Sequence, residues 1–393
     1  MLRVLSGLKL QKITITFKQS LRFLQIESSN ARPATSSLIL KLLPVCENSY
    51  ECAQQELKWL SLHVVTNLRQ RGQQLREKDS SVYSNNIPQT TDEAWKIMSL
   101  EEKEILSALV SQRVEQSKPL QYILGTQPFL NLEIITRPPV LIPRWETEEW
   151  TCSLANLLNS HLETNQSPDD DTPKRKPRRP FRILDICTGS GCIALALAHN
   201  LPPDTCTVHA IDNASDALLL AQRNISVHNP HNRVILSNLD IMKSSNKELS
   251  EFVKRCNTSG SGDDNDYNNN YDGNGFDLIV SNPPYVTRAE YEMVSNEIKL
   301  WEDKRALIAD NEDGTSFHQR IAKLALGLPL LRKQDIEKMN TDIIPRVVME
   351  IGGENQVKNV KEVLYENGFE WVEVWKDAAD KDRCVIAGTF FSK

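Results

Sequence analysis

The sequence lacks several features that would mark particular classes of protein. Its eight cysteines include no Cys-x-x-Cys pair, and no histidine stands at zinc-ligand spacing from them. It also has no run of about 18 apolar residues, the length that a membrane-spanning helix needs. We therefore expect free thiols, no metal site and no membrane partner.

The chain also has no excess of positive charge. Of its 393 residues, 46 are basic and 52 are acidic, which gives a formal net charge of -6. Proteins that bind nucleic acid mainly through phosphate contacts carry a basic surface, so we expect no direct nucleic-acid binding. The length is more typical of two domains than of one.

The N-terminal segment differs from the rest in charge. No acidic residue precedes Glu27, whereas basic residues are spaced among leucines and hydroxyl side chains. This composition is typical of a mitochondrial transit peptide. It predicts an import segment over residues 1–35 and a location in the mitochondrial matrix; the alternative is a basic terminal helix that stays attached.

A helical domain is predicted over residues 36–128. Ser99 and Glu102 have the spacing of a capping box, and apolar residues then recur at helical intervals from Ile105 to Val114. One face of this helix can therefore pack against neighbouring helices.

Extended and polar stretches follow the helical domain. Alternating leucine and isoleucine from Leu130 to Ile134, and a further apolar run over Val140–Ile142, predict a β-hairpin within a linker spanning residues 129–148. The polar stretches 159–180 and 243–275 have too few apolar residues to form a core. We interpret both as flexible, solvated insertions.

The remaining residues, 149–393, alternate strand and helix patterns. This alternation predicts an α/β domain with a mostly parallel sheet, helices on both faces and a ligand site at the carboxyl ends of the strands. The predicted strands are Phe181–Ile186, Thr207–Ile211, Arg233–Leu236, Phe276–Val280 and Arg346–Ile351, with two more at Trp371–Trp375 and Cys384–Thr389.

A glycine-rich loop follows the first of these strands and opens a helix. Glycines allow a tight turn and a close approach of the backbone to a ligand, and the first N–H groups of the helix are free to bind it. The candidate cofactor-binding residues in and beside this loop are Asp185, Cys187, Thr188, Gly189, Ser190 and Gly191.

Two acidic residues extend this candidate site. Asp212 ends the next strand, 21 residues after Gly191, where a carboxylate can bind both hydroxyls of an adenosyl ribose. Asp240 is placed to reach the adenine amino group, with Ile241 packing on the ring; the alternative for Asp240 is a helix cap or a solvated loop acid. Since no intact G-x-G-x-x-G is present, a methyltransferase fold is favoured over a dinucleotide fold.

The tetrapeptide Asn282, Pro283, Pro284 and Tyr285 follows the predicted strand Phe276–Val280. Proline fixes its own φ and holds the preceding residue extended. The Asn282 side-chain oxygen and the Pro283 carbonyl can then accept hydrogen bonds from a planar NH2 group, and Tyr285 can stack on it. Such acceptors orient a weakly nucleophilic nitrogen and stabilise its growing positive charge. The alternative is a proline-stiffened turn.

With these motifs the chain resembles the HemK/PrmC family of release-factor glutamine methyltransferases. The similarity covers roughly Glu51 to Thr389 apart from the two insertions. It includes the glycine loop, Asp212, the tetrapeptide and the following further motifs: Gln121 to Gly125, Leu141 to Arg144, Glu146 to Glu148, Asp313-Gly314, Glu350 to Gly352 and Asp382-Arg383.

The resemblance implies a Rossmann-like class I methyltransferase domain behind a small N-terminal helical domain joined by a β-hairpin. It also implies S-adenosyl-L-methionine as cofactor and the Gly-Gly-Gln loop of a class I peptide chain release factor as substrate. Cys187 to Gly191, Asp212, Ile241 and Asn282 would contact the cofactor, while Asn282 to Tyr285 hold the glutamine.

Two residues depart from the family pattern. Cys187 stands where glycine is common, which the turn tolerates if its φ is negative, and Trp145 replaces a usual proline after Arg144.

Three alternatives stay open. An adenine-N6 nucleic-acid methyltransferase also acts on a planar NH2 group, but it needs a basic groove and a base-flipping pocket. A ribosomal-protein glutamine methyltransferase is difficult to separate from the sequence. A catalytically silent module that only docks a release factor is disfavoured by the intact Asn282 and Asp212.

Overall fold

A computed structural model describes residues 34–68, 88–164, 180–228, 233–258, 275–327, 330–331 and 344–389. They belong to two compact units, one ending at Leu124 and the other beginning at Gly125. No helix in the described ranges is both long and apolar enough to cross a membrane.

The described part of the first unit consists of helices. They are α1 (Ala34–Leu42), α2 (Tyr50–His63), α3 (Thr91–Ile97), α4 (Leu100–Glu115) and α5 (Leu120–Leu124), with a 3₁₀ turn at Leu43–Val45 and a π-helical turn at Val64–Leu68. The predicted capping box is present, since the Ser99 hydroxyl accepts from the Glu102 N–H and the Glu102 carboxylate accepts from the Ser99 N–H. Helix α1 begins two residues inside the predicted import segment, residues 1–33 of which lie outside the described ranges.

Leucines at helical spacing form the core of the first unit. Leu42, Leu57, Leu60 and Leu106 are all fully buried there. The unit also buries an ion pair in which Arg113 donates to both carboxylate oxygens of Glu56, at 2.9 and 3.2 Å. Both charges are therefore paired within the core.

The second unit opens with a β-hairpin of two short strands, β1 (Thr126–Phe129) and β2 (Leu132–Ile135). The hairpin predicted between Leu130 and Ile142 is therefore wrong in its pairing. Leu130 lies in the turn with a φ of 52°, and Val140–Ile142 lies in a loop after β2. The alternating pattern identified β2, but its partner precedes it.

A seven-stranded sheet forms the centre of this unit, in the order β5-β4-β3-β6-β7-β9-β8. The first five strands in this order are parallel, and β9 runs antiparallel to both of its neighbours. The strands are β3 (Phe181–Ile186), β4 (Cys206–Asp212), β5 (Val234–Asn238), β6 (Leu278–Ser281), β7 (Val347–Glu350), β8 (Trp371–Lys376) and β9 (Asp382–Gly388).

Helices cover both faces of the sheet. Ile183 and Leu184 are neighbours on β3 and enter two different hydrophobic cores, as expected for a strand buried on both faces. The helices are α6 (Trp145–Thr164), α7 (Cys192–Asn200), α8 (Ser215–His228), α9 (Asn246–Thr258), α10 (Arg288–Tyr291), α11 (Asn296–Trp301), α12 (Ser316–Gly327) and α13 (Glu354–Glu366), with a 3₁₀ turn at Lys304–Ala306.

Helix α9 occupies much of a predicted flexible insertion, residues 243–275. Leu249, Phe252, Val253 and Cys256 are buried on one of its faces, at the i, i+3, i+4, i+7 spacing of an amphipathic helix. The polar composition of residues 243–275 concealed this spacing, so the prediction of a flexible insertion is wrong over α9. Likewise, α6 extends into the first six residues of the insertion predicted over 159–180.

Candidate functional site: a crevice at the switch point of the sheet

The order of the strands places a crevice between β3 and β6. From β3 the chain adds strands in one direction through β4 to β5, and from β6 it adds them in the other. Loops at the carboxyl ends of two such strands diverge and leave a space between them. The glycine-rich loop follows β3 and the Asn282 tetrapeptide follows β6, so the sheet brings the two motifs together.

The glycine-rich loop makes a tight turn into helix α7. Gly189 and Gly191 have φ values of 56° and 81°, which favour glycine because a Cβ atom is strained there. A Cβ atom on Gly191 would also lie 3.2 Å from the Cβ atom of Ala221. Gly191 therefore permits both the turn and the close packing of α7 against α8.

Cys187 has a φ of 62°. The turn therefore does not meet the condition of a negative φ under which cysteine replaces glycine without strain. A left-handed residue other than glycine costs about 1 to 2 kcal/mol, and contacts around the loop must offset this strain. One such contact is the Thr188 N–H donating to the Ile211 carbonyl at 3.0 Å.

Asp185 lies behind the loop and does not line the cavity. Its side chain is fully buried, and its Oδ2 accepts from the Thr188 hydroxyl at 2.6 Å. Burial raises the pKa of this carboxyl to about 7, against the lowering effect of the Thr188 hydrogen bond. Asp185 and Thr188 therefore brace the loop from inside, while Ser190 and Gly191 turn it into the helix.

The crevice contains a cavity of about 420 Å³, a volume within the range of small-molecule sites. Its walls are mainly apolar, and Cys187, Gly189, Asp212 and Asn282 contribute to them. Further lining residues include Ile186, Ile211, Leu239, Asp240, Ile241 and Phe317. The lining combines these apolar side chains with several carboxylates, including Asp212 and Asp240, and such a combination is suited to a nucleoside.

Asp212 reaches this cavity from the end of β4. Its Oδ2 accepts from the Gly189 N–H at 2.9 Å and its Oδ1 from the Ala214 N–H at 2.9 Å. Burial raises the pKa of this carboxyl, although the two N–H groups oppose the shift. Each oxygen keeps a lone pair for a further donor, so the carboxylate is fixed and can still bind a ligand.

Asp240 performs the alternative role that the sequence left open. Its Oδ1 accepts from the backbone N–H groups of Met242 and Lys243, at 3.0 and 3.1 Å, and so caps the turn after β5. The same side chain lines the cavity beside the buried Ile241. Capping and ligand contact are therefore compatible at this position.

Asn282 lines both the large cavity and a second, small one of about 30 Å³. The small cavity is also lined by Arg144, Pro283 and Tyr285. The Asn282 Nδ2 donates to the Thr147 hydroxyl oxygen at 3.0 Å. Among the described residues, neither the Asn282 Oδ1 nor the Pro283 carbonyl accepts a hydrogen bond. Both predicted acceptors are therefore available.

Tyr285 is held at three points. Its hydroxyl donates to the Glu350 Oε1 at 3.1 Å, and its backbone carbonyl accepts from the Gln356 Nε2 at 2.8 Å. Its ring packs against Gly352, where an added Cβ atom would lie 3.2 Å from the Tyr285 Cδ2. Burial, followed by the nearby Glu350 carboxylate, raises the pKa of Tyr285 well above its usual value, so the hydroxyl stays protonated.

A buried carboxylate lies behind the tetrapeptide. The Glu350 Oε2 accepts from the Thr147 hydroxyl at 2.7 Å and from the Trp150 indole N–H at 2.8 Å. Burial raises the pKa of Glu350, while its three neutral donors lower it. Thr147 and Glu350 are only 1% exposed.

Several motifs that carry the family resemblance also have structural partners here. Arg144 donates to the buried Glu302 at 2.6 Å, and the Glu148 carboxylate accepts from the Leu130 N–H at 2.7 Å. Gly314 packs so closely on Tyr285 that an added Cβ atom would lie 2.2 Å from the Tyr285 carbonyl oxygen. These contacts hold the hairpin and the tetrapeptide around the crevice.

No local pattern in the sequence assigns a role to Thr147 or Glu350, and none indicates Trp150 or Gln356. Thr147 and Glu350 lie 203 residues apart, so no local spacing could have joined them. Their presence in two motifs of the resemblance was the available signal.

One group of potential metal ligands occurs in the first unit among the described residues. Ligand atoms of Cys46, Cys52 and Glu56 lie within 4.8 Å of one another. Both Glu56 oxygens are engaged by Arg113, which leaves two thiols, fewer than a structural zinc site uses.

Curated relatives share much of the chain. The probable MRF1 mitochondrial N(5)-glutamine methyltransferase mtq1 of Schizosaccharomyces pombe is 29% identical over 68% of this chain and 74% of that protein. A release factor glutamine methyltransferase of Thermodesulfovibrio yellowstonii is 31% identical over 78% of this chain and 85% of its own length. The mitochondrial MRF1 N(5)-glutamine methyltransferase MTQ1 of Saccharomyces cerevisiae is 34% identical over 49% of this chain. The matched part spans about half (51%) of the length of that relative.

No protein-family model matches the chain. Among solved structures, the human Mettl16 catalytic domain is similar, with a TM-score of 0.42 and 13% sequence identity. The similarity covers 75% of this chain and 83% of the Mettl16 chain. This likeness is too low to carry an argument about function.

Proposed function

Because the chain belongs to the family of release factor glutamine methyltransferases, we propose that it methylates the side-chain amide nitrogen of a glutamine in a class I peptide chain release factor. The methyl donor would be S-adenosyl-L-methionine, and the target the glutamine of the Gly-Gly-Gln loop. The observation that supports this best is the position of Asn282, which lines both a nucleoside-sized cavity and a small one.

The large cavity fits the proposed cofactor by size and chemistry. Asp212 would accept hydrogen bonds from the two ribose hydroxyls, and Ile241 would pack on the adenine beside Asp240. Cys187 and Gly189 would face the amino-acid end of the cofactor. Asp185, Thr188, Ser190 and Gly191 would act indirectly by holding the loop in shape.

The small cavity is suited to a carboxamide. The glutamine NH2 group would donate one hydrogen to the Asn282 Oδ1 and the other to the Pro283 carbonyl, with the Tyr285 ring against its flat face. Pro284 lines the large cavity and stiffens the turn. This arrangement would direct the nitrogen past Asn282 toward the large cavity.

The residues then lower the barrier by orientation and electrostatics. The cofactor supplies an electrophilic methyl group with a neutral thioether as leaving group. As the nitrogen lone pair forms the new bond to carbon, positive charge grows on the nitrogen, and the two oxygens stabilise it. The surplus amide proton then leaves to water, so no strong base is required.

Labelled methyl transfer from S-adenosylmethionine tests this function and its alternatives together. Purified protein is incubated in separate reactions with a class I release factor, the same factor carrying Gln→Glu in its Gly-Gly-Gln loop, ribosomal protein and tRNA. We expect label only on the unaltered factor. Label on tRNA would support an adenine methyltransferase instead, and label on ribosomal protein alone would redirect the substrate.

We also propose that the protein acts in the mitochondrial matrix. This is supported by the basic, acid-free composition of the first 26 residues and by the mitochondrial names of two relatives. Residues 1–35 fused to a fluorescent reporter should direct it into the matrix. Reporter that remains outside mitochondria would contradict this location.

For the helical domain, predicted over residues 36–128, we propose a role in docking the release factor. Four large apolar side chains are exposed on its described residues: Tyr50 at 38%, Trp59 at 45%, Ile97 at 48% and Leu100 at 81%. Trp59→Ala should raise KM for the whole factor but leave KM for a short Gly-Gly-Gln peptide unchanged. Equal effects on both substrates would contradict docking by this surface.

A further inference from the structure

Asn282 can perform its proposed role in only one of two orientations. The oxygen and nitrogen of a carboxamide are nearly equal in size, and hydrogen bonds decide which of them faces a given side. If the Asn282 nitrogen faced the glutamine, two NH2 groups would oppose each other. Something must therefore hold the oxygen toward the substrate.

The partner of the Asn282 nitrogen is the Thr147 hydroxyl, at 3.0 Å. A hydroxyl can donate once and accept up to twice, so its single proton decides which Asn282 atom it can bind. Here that proton is donated to the Glu350 Oε2 at 2.7 Å. The Thr147 hydroxyl can then only accept a hydrogen bond from Asn282, and only the NH2 group of Asn282 can donate one.

The direction of the Thr147 hydroxyl depends on Glu350. An ionised carboxylate accepts hydrogen bonds and cannot donate them. Besides Thr147, the Glu350 carboxylate has two further partners, and both of them donate to it. The Trp150 indole N–H can only donate, and it shares Oε2 with Thr147, while the Tyr285 hydroxyl donates to Oε1. The whole network therefore has one consistent direction, ending at the Asn282 oxygen.

The burial of the Glu350 carboxylate is not explained by packing alone. Its side chain is 1% exposed, and no cation lies within ion-pair distance of it among the described residues. A buried carboxylate without a cation is destabilising relative to an apolar side chain of similar size. A group of this kind at an otherwise apolar strand end indicates a demand for its acceptor oxygens.

We propose that Glu350 is a positioning residue, which acts through the Thr147 hydroxyl to fix the Asn282 carboxamide with its oxygen toward the substrate nitrogen. The proposal rests on the proposed function, since it requires an NH2 group as the methyl acceptor. Neither Thr147 nor Glu350 lines the large cavity. Their effect should therefore fall on the rate of transfer and leave cofactor affinity unchanged.

The matched pair Thr147→Val and Thr147→Ser separates orientation from packing. Valine keeps the shape but removes the hydroxyl, and we expect kcat to fall about 10- to 100-fold while the Kd for S-adenosylhomocysteine and the Tm stay near wild type. Serine keeps the hydroxyl and should restore kcat to within about twofold of wild type. Thr147→Val with wild-type kcat would overturn the proposal.

A double variant tests whether Thr147 acts through Asn282. If it does, Thr147→Val combined with Asn282→Ala should be no slower than Asn282→Ala alone, because the orientation of a missing side chain cannot matter. Losses that multiply in the double variant would overturn the proposal, since they would show an independent role for Thr147.

Substitutions of Glu350 test the origin of the network. Glu350→Met removes both acceptors at similar length, and kcat should fall as in Thr147→Val. Glu350→Gln should stay within about twofold of wild type, because the Trp150 N–H holds the amide oxygen toward Thr147. If Glu350→Met does not fold, the glutamine variant still decides the matter: a loss as large as that of Thr147→Val would overturn the proposal. A wild-type protein that cannot methylate a release factor would instead refute the proposed function.

Discussion

The Asn282 carboxamide donates from Nδ2 to the Thr147 hydroxyl oxygen across 3.0 Å. These residues belong to different elements, since Asn282 lies directly after β6 and Thr147 lies in the first turn of α6. The side chain proposed to hold the substrate is thus fixed by an element that the tetrapeptide itself does not contain. Among the described residues no group donates a hydrogen bond to its oxygen, which is therefore available to a substrate.

The first prediction concerns Asn282 itself. Asn282→Ala removes one of the two proposed acceptors, and we expect kcat to fall about 100- to 1000-fold, as when a single oxyanion-hole donor is lost. Rates of labelled methyl transfer to a release factor measure this effect. The matched control is Asn355→Ala, at an exposed residue, and it should keep the wild-type rate. A rate for Asn282→Ala within a few-fold of the control would argue against the proposed role.

The second prediction concerns Asp212. In Asp212→Asn the side-chain NH2 group must face either the Gly189 or the Ala214 N–H, each of which now donates to a carboxylate oxygen. The loop should shift and lose an acceptor for the ribose, so the Kd for S-adenosylhomocysteine should rise at least about tenfold by calorimetry. Asp216→Asn, at an exposed residue lining the same cavity, is the control for net charge. Equal effects of both variants would show that charge alone matters.

The third prediction concerns the pH dependence of stability. Burial raises the pKa of Asp185 from 3.8 to about 7, so between these values the folded protein keeps a proton that the unfolded chain has lost. The free energy of unfolding should therefore fall as pH rises through this window, by up to about 1.4 kcal/mol per pH unit from this group, and level off above it.

Urea unfolding of the cofactor-free protein at several pH values measures this slope. Asp185→Asn carries no titrating proton and should flatten the slope relative to wild type, while Asp310→Asn, at an exposed residue, should leave it unchanged. A slope for Asp185→Asn that equals that of wild type would assign the pH dependence to other carboxyl groups.

The fourth prediction concerns cysteine reactivity. Cys52 is exposed, whereas Cys187 is half-buried and lines the large cavity. Burial raises the pKa of Cys187 well above its usual value, and the thiolate is the reactive form. A maleimide should therefore label Cys52 quickly and Cys187 slowly, as measured by peptide mass spectrometry. S-adenosylhomocysteine should protect Cys187 alone; equal labelling of Cys187 with and without it would place the cofactor elsewhere.

Local sequence patterns predicted the parts of the site that are local in the chain. The glycine loop, the tetrapeptide and the strand before each could be recognised because their residues are neighbours and obey backbone rules. The alternation of strands and helices also predicted the parallel sheet. Helix α9 was missed, because the composition of residues 243–275 concealed the four buried positions from Leu249 to Cys256.

Contacts between distant segments could not be predicted in this way. The link from Glu350 to Thr147 depends on how α6 packs against the end of β7, which no spacing encodes. The left-handed conformation of Cys187 was also unexpected, since a cysteine favours a negative φ. Both features are imposed by tertiary packing, and both lie at the candidate site.

The proposed methylation can be measured in cells as the mass of the Gly-Gly-Gln peptide from an organellar class I release factor, isolated with and without this chain present. We expect a peptide one methylene heavier in the presence of the chain, with fragmentation locating the methyl group on the glutamine side chain, and an unmodified peptide in its absence. The same methylation level in both kinds of cell would rule out this chain as the enzyme that methylates the factor.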